Sequence, residues 1–576
     1  MLELKKFPEK MSELAIDRAE MKKCLVSGLF EEETEINGAK RRFFMYLTPG
    51  LSYNQRCIIL APPSEISVEA YLENSFWLQF AAEEQIFLCI LEPENGSWNL
   101  DGSDADYMNR VYVKVQARDY YVTMQDNIYA VGIGNGATVA QQAVMKMTSE
   151  WSGLVSIGDL DSSAMLNAEV LQKSEDAGKV ELSLNAVKCQ LPVWMVWKHP
   201  SEIHRQIRNY WKKQNDVSDE QYSCGVADEI YFPSTICKKS TVNEEKTAQV
   251  RITNLWDGCV SADLMKEIWK YIRQNCRHRS FGRKALRQYK DPIAYGAELH
   301  TMQIDGFTRI WYEYVPERVK KSQDKVPLVV TMHGRGGSAE SFFDMSGMSC
   351  VAEERDFIVL FPEAGVHQQK EGGLKNILLW NGSYDGEAID DVKFILAMIE
   401  DVKSRYQIDS ERIYACGQSS GGMMTSTLAI AAPKLFAAVS PWSALQDPDH
   451  HIPVPETIEP AVPYLFLLGE NDWLCVDKKN GHMEYQVTDS IAEFLQNLIR
   501  LYQLDEKPQT FRCGEISYYV YRNSKRVPML IVGTVRDMSH ANYPRESWIA
   551  YDQFFSKFSK KEDGTLLYMG EDAVSK

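Results

Sequence analysis

The chain has 576 residues and carries 63 Lys and Arg against 80 Asp and Glu, a net charge of −17. That balance weighs against nucleic acid or an anionic membrane as a partner, because phosphate repels a net anion. With 44% apolar and 25% charged residues the composition is globular, too long for one ordinary domain, and no apolar run nears the ~20 residues that span a bilayer.

The opening from Met1 to Lys6 has no apolar signal core, and the 12 cysteines stand singly from Cys24 to Cys513 with no CxxC pair. The reading is a cytoplasmic protein with reduced thiols, with neither a zinc site nor a disulfide framework. Asn37-Gly38 followed by Arg42-Phe43-Phe44-Met45-Tyr46-Leu47 reads as a turn and an alternating strand. Arg56 to Pro63 and Phe87 to Pro93 read as buried strands ending in turns, and Tyr129-Ala130-Val131-Gly132-Ile133-Gly134-Asn135-Gly136 as a strand entering a glycine-rich turn. Pro192 to Trp197 is a further strand.

A basic stretch from Arg277-His278-Arg279 through Arg283-Lys284 to Arg287 then reads as a solvated linker face. Beyond it the series begins again. Asp305-Gly306 leads into Phe307 to Pro316, followed by Val326 to Gly334, Phe357 to Glu363, Tyr414 to Gly421 and Pro463 to Leu468. Five counterparts in one order predict a tandem duplication with repeats of roughly 275 residues. The boundaries are 1–276 for the first repeat, 277–298 for the linker and 299–576 for the second repeat. Short Val, Ile and Leu runs alternate with amphipathic helical patterns such as Asp390 to Ile399. That alternation predicts an α/β protein of two tandem domains, each a doubly wound, mostly parallel sheet that binds ligands at its strands' carboxyl ends.

Gly417-Gln418-Ser419-Ser420-Gly421 fits G-x-S-x-G, between a strand candidate ending at Cys416 and a helix candidate from Gly422. A turn this tight needs small neighbours, and a serine nucleophile needs a base and an orienting acid. Where such elbows occur, the chain order is serine, acid, histidine. Gly469-Glu470-Asn471-Asp472 follows a strand and offers Asp472 as the acid, with Glu470 the runner-up. His540 follows the strand Met529 to Gly533 and precedes a helix from about Arg545, which makes it the base. The backbone amides of Ser420 and Arg335 are the expected oxyanion donors, and His333 reads as a structural turn residue. Trp380, Trp442 and Trp473 map near the same edge and are candidates for substrate contact.

Taken together, His333-Gly334-Arg335, Phe361-Pro362-Glu363, Trp380-Asn381, Asp390-Asp391-Val392, Gly417 to Met424, Gly469 to Asp472 and Ser539-His540 resemble the polyhydroxybutyrate depolymerase and feruloyl esterase family of α/β-hydrolases, from about Leu299 to Ser559. The resemblance implies two α/β-hydrolase-type repeats, the second a serine esterase with a Ser-His-Asp triad and no metal or organic cofactor. Its substrate would be a small or oligomeric acyl ester, feruloyl, aryl or short-chain. A serine peptidase or acyltransferase with the same triad is the alternative, ahead of a non-catalytic scaffold. Typical members are exported, whereas this sequence reads as cytoplasmic, and Arg335 replaces a small or polar residue. The first repeat has Gly134 at the elbow, no carboxylate in Lys198-His199-Pro200-Ser201, and Val260 at the base position if Asp257 answers Asp537. It is expected to keep the fold without the chemistry, supporting the second repeat, walling its pocket or forming a homo-oligomer interface.

Overall fold

A strand covered on both faces must be apolar throughout. Residues Cys57 to Ala61 and the whole of Val326–Met332 are buried in that way. In the computed structural model, which describes residues 3–9, 23–116, 120–170, 172–175, 181–184, 189–234, 247–255, 260–278, 285–368, 376–380, 389–444, 458–472, 475 and 489–574, such runs build two large sheets.

The first sheet runs, edge to edge, Gly28–Ile36, Ala39–Leu47, Phe87–Leu91, Gln55–Ala61, Thr123–Ile133, Gly153–Ile157, Val193–Trp197, Val250–Asn254, Ala227–Tyr231 and Tyr222–Cys224, with Leu4–Lys5 outside the first of these. The second runs Glu298–Ile304, Phe307–Tyr314, Ile358–Pro362, Val326–Met332, Ile408–Gln418, Ala438–Trp442, Tyr464–Gly469, Pro528–Val535, Ile516–Arg522 and Gln509–Cys513. Ten strands therefore stand in the same chain order in both sheets. The directions agree as well, with parallel pairing in the centre and antiparallel pairing at both edges. Both sheets even shift register at the same point, between Gln55 and Cys57 in one and between Val326 and Leu328 in the other.

The first sheet carries an apolar layer on each face, one around Trp151 and Trp211, the other around Trp77 and Trp269. The second sits in one continuous core that includes Phe394, Ile395, Met398 and Ile399 of helix Asp391–Arg405. Asp390 caps that helix by accepting from the Lys393 amide at 2.9 Å. Among the described residues no helix is long and apolar enough to cross a membrane, and the described cysteines are free thiols.

The basic stretch departs from the expected solvated face. Asn275–His278 and Ala285–Gln288 pair as a hairpin, and Arg277 and Arg287 are buried. Arg277 donates to the backbone oxygens of Trp151 (2.7 Å), Thr148 (2.8 Å) and Gln190 (2.6 Å), all in the first half. Arg287 pairs with buried Asp344 in the second half. Carbonyls and a carboxylate compensate the desolvated cations, so these charges tie the connector to both halves.

Each sheet has one crowded crossing, where a central strand turns into a helix. A Cβ on Gly136 would lie 2.7 Å from the Pro62 carbonyl oxygen, and one on Gly421 would lie 2.5 Å from that of His333. Both clash with backbone, which has nowhere to move. Gly136→Ala and Gly421→Ala should each lower the stability of the full chain by at least about 2 kcal/mol. Urea denaturation checks this, and an unchanged midpoint for either variant would contradict the packing described.

Candidate active site

The turn at Ser419 is built from constraints on its neighbours. Strand Ile408–Gln418 ends one residue before it and helix Ser420–Ala431 begins one residue after it. Ser419 itself has φ 53° and ψ −121°, a conformation that costs a non-glycine residue about 1–3 kcal/mol. Its amide donates to the Trp442 carbonyl at 2.9 Å, which pins the strained residue to the neighbouring strand. A Cβ on Gly417 would be 2.6 Å from the Gly421 carbonyl group and 2.7 Å from the Met332 oxygen. Only glycine lets the strand and helix close on the serine from both sides.

The structure brings Ser419, His540 and Asp472 into one row. His540 Nε2 lies 2.9 Å from Ser419 Oγ, and Nδ1 lies 2.9 Å and 3.1 Å from the two Asp472 carboxylate oxygens. A carboxylate can only accept, so the imidazole proton is assigned to Nδ1, leaving Nε2 to accept from the serine hydroxyl. Asp472 is fully buried, whereas 18% of the His540 side chain is exposed. Glu470 faces elsewhere, its carboxylate accepting from the Asp537 amide at 3.1 Å and so bracing the histidine loop. Gly469 is required where these loops meet, since a Cβ there would be 2.8 Å from the Met538 carbonyl carbon. The Asn471 amide donates to Met538 O at 2.7 Å, which locks the acid loop to the base loop.

Asp472, Cys475 and His540 are also, among the described residues, the group close enough to hold a metal ion, with ligand atoms within 4.8 Å. Burial, and then the Asp472 charge, hold the Cys475 thiol well above its ordinary pKa, so it offers no thiolate. Asp472 is already engaged by His540. The donor set therefore fits a hydrogen-bonded acid and base better than a metal centre.

On the expected oxyanion side, the turn after Val326–Met332 packs against the serine turn. Its Gly337 amide donates to Gly334 O at 3.0 Å and its Gly336 amide to Leu378 O at 2.9 Å. Exposed Arg335 lies within this turn, and buried Ser420 begins the helix after Ser419. His333 holds the turn from behind, with Nε2 accepting from Ala364 N at 3.1 Å and Nδ1 donating to Gly334 O at 2.7 Å.

The expected aromatic wall is different. Trp380 and Trp442 are both buried core residues, their indole N–H groups donating to His333 O (2.7 Å) and Ser440 Oγ (2.9 Å). With faces packed and donors satisfied, neither presents a surface to a substrate. Trp473 lies outside the described residues.

The first half repeats this architecture without its side chains. Ala61 pairs with Gly132 as Met332 pairs with Gly417, so Gly134, Asn135 and Ser64 stand where Ser419, Ser420 and Arg335 stand. Gly134 keeps the positive φ, at 60°, and donates to Ile157 O at 2.8 Å, as Ser419 does to Trp442 O. Asn135 then fills the space. Its Oδ1 accepts from the Ser64 amide at 3.0 Å, and its Nδ2 donates to Ser64 Oγ at 2.6 Å and to Glu65 Oε1 at 3.0 Å. The amide equivalent to that of Arg335 is thus already occupied by the chain's own amide oxygen. Val260 is half-buried against the core, and Asp257 lies outside the described residues. Buried His204, which the sequence reading passed over, caps its own helix. Its Nδ1 accepts from Ser201 N at 3.1 Å, directing Nε2 to the Gly158 carbonyl at 3.3 Å.

Residues 312–454 match the sequence profile of the esterase PHB depolymerase family. Feruloyl esterase B of Neurospora crassa is 30% identical over 134 residues, covering 23% of this chain and 43% of that protein. Feruloyl esterase B of Talaromyces funiculosus is 33% identical over 135 residues, covering 23% and 36%. A probable acetylxylan esterase A of Neosartorya fischeri is 30% identical over 137 residues, covering 24% and 35%. The chain thus spans less than half the length of these relatives. Among solved structures, an acetyl xylan esterase from Aspergillus awamori aligns with a TM-score of 0.34 and 16% identity over 45% of this chain and 99% of that one.

The loop carrying His540 is anchored by two groups. Ser443 Oγ donates to Ala541 O at 3.0 Å. The buried carboxyl of Glu546 accepts from Asn542 Nδ2 at 2.5 Å and from the Tyr543 amide at 3.0 Å. Burial outweighs those two bonds and raises the Glu546 pKa from 4.5 to about 8. The folded chain therefore binds this proton more tightly than the unfolded chain does. Its contribution is fully present below about pH 4.5 and is lost as the pH rises through about 8. The urea midpoint of the wild type should fall between about pH 5 and about pH 8 more steeply than that of Glu546→Gln. Parallel profiles would contradict the assignment.

Proposed function

We propose that the second half of this chain, which is related to the polyhydroxybutyrate depolymerase and feruloyl esterase family of α/β-hydrolases, hydrolyses carboxylic esters through an acyl-enzyme on Ser419. The observation that carries this reading is the unbroken row from Ser419 Oγ through His540 to buried Asp472 at a strained turn heading a helix. In it, His540 Nε2 takes the Ser419 proton as Oγ attacks the ester carbonyl. Asp472 stabilises the imidazolium, and His540 returns the proton to the departing alkoxide. Water, activated by the same imidazole, then releases the acid. The amides of Ser420 and Arg335 hold the oxyanion, a role for Arg335 supported by its counterpart Ser64, whose amide donates to the Asn135 side-chain oxygen. The names of the relatives favour feruloyl, other aryl or short-chain acyl esters, small or oligomeric.

The shared strand order supports reading the two halves as a duplication in which the first lost its chemistry. Gly134→Ser should create no second active centre, because the Asn135 side chain still occupies the Ser64 amide.

A panel of para-nitrophenyl acyl esters and methyl hydroxycinnamates, run beside an amide analogue, tests the proposal. Ser419→Ala should lose about 10⁶-fold in turnover, by analogy with other triads. Asp472→Asn should lose about 10⁴-fold, while Glu470→Gln loses far less, since its carboxylate accepts from the Asp537 amide rather than from His540. More than a tenth of wild-type turnover in Ser419→Ala would remove the nucleophile, and faster amide than ester cleavage would favour a peptidase.

A further inference from the structure

The turn that carries Arg335 is held partly by the other half of the chain. Asn54, in the first half, has a left-handed backbone with φ 58°, and its amide donates to Val122 O at 2.7 Å. Its buried side chain leaves its own half. Nδ2 donates to Ser338 Oγ at 3.2 Å and to Ser341 Oγ at 3.3 Å. Those hydroxyls form the capping box of helix Ala339–Ser346. Ser341 N donates to Ser338 Oγ at 3.1 Å, and Ser338 N donates to Ser341 Oγ at 3.0 Å. Ser338 directly follows the glycine turn 334–337.

The preceding residue lies by a second support of the same turn. Tyr53 is buried in a small apolar cluster with Phe307, Val366, Leu378 and Ile389 of the second half. Leu378 supplies the carbonyl that accepts from the Gly336 amide. Two consecutive residues of the first half are thus placed at two supports of the turn, Asn54 by bonding to the helix cap and Tyr53 by sharing a cluster with Leu378. The connector also bonds to this helix. Tyr289 OH donates to Glu340 Oε1 at 2.7 Å, and the Lys290 amide donates to Asp344 Oδ1 at 2.9 Å, beside the Arg287–Asp344 pair.

An apolar contact would have sufficed to join two halves. A buried amide spent on two capping hydroxyls fixes where a helix begins, and with it the direction of the backbone amides just before it. From this geometry we infer that Tyr53 and Asn54 are positioning residues for the oxyanion turn, so that the first half completes the active centre of the second. The inference rests on the esterase reading above.

The test uses the full chain with Asn54→Gly, which keeps the left-handed backbone and removes the amide. Asn54→Asp, which keeps the shape and replaces the donor by an acceptor, is the second variant. Three quantities are read: kcat and KM on a para-nitrophenyl ester, the active-site fraction from the acylation burst, and the inhibition constant of an arylboronic acid that forms a tetrahedral adduct on Ser419. Both variants should lose about tenfold or more in kcat per active site and bind the boronate weaker by a similar factor, with KM within about twofold. Activity lost only in proportion to the active fraction, or boronate affinity within about twofold of wild type in both variants, would overturn the inference. A wild-type chain that cleaves no ester would instead remove the esterase reading, and this inference with it.

Discussion

The structure depends on one close approach, where the chain after a central strand must turn left-handed and start a helix against the carbonyls of the next strand. At residues 417–421 a Cβ on either glycine would penetrate the Met332–His333 backbone, so the turn exists only with glycine at both places. The serine between them is held at φ 53° by its bond to Trp442 O, and that strain lifts Oγ out of the sheet toward His540. The acid and base loops then meet at Gly469, by a second approach that no side chain would permit. A fully buried carboxylate is tolerable there because the imidazole accompanies it.

The first half shows which parts of this arrangement belong to folding and which to chemistry. Gly132 and Gly136 remain, together with the positive φ at residue 134 and its bond to Ile157 O. These are the features without which strand and helix could not pack. What differs among the described residues is what folding does not need: Gly134 carries no hydroxyl, and Asn135 satisfies the Ser64 amide internally. The half nevertheless stays joined to the other through polar contacts beside the glycine turn 334–337 and through a connector whose arginines are buried in both directions.

Much of this was legible in the residues. The central strands announce themselves because burial on both faces forces continuous Val, Ile and Leu runs, and the serine turn because its two glycines are sterically obligatory. Between Glu470 and Asp472 the sequence could only prefer one, since both lie in the same loop and only tertiary packing directs Asp472 to the imidazole. The arginines at 277 and 287 read as solvated because charge normally is, and the partners that bury them lie 126 and 57 positions away. Trp380 and Trp442 read as pocket walls yet pack in the core for a related reason, as an indole is equally at home in a core or a cleft until its neighbours are known. The Asn135–Ser64 and Asn54–Ser338 contacts, 71 and 284 positions apart, follow no local pattern.

In the proposed function one serine, Ser419, reacts as a nucleophile while the equivalent turn in the first half does not. The most direct test is to label the intact chain with a fluorophosphonate and to locate the adduct by peptide mass spectrometry. One phosphonylated serine per chain is expected, at Ser419, with labelling abolished in His540→Ala. A second labelled serine, or ester hydrolysis by a chain that takes no label at Ser419, would contradict it.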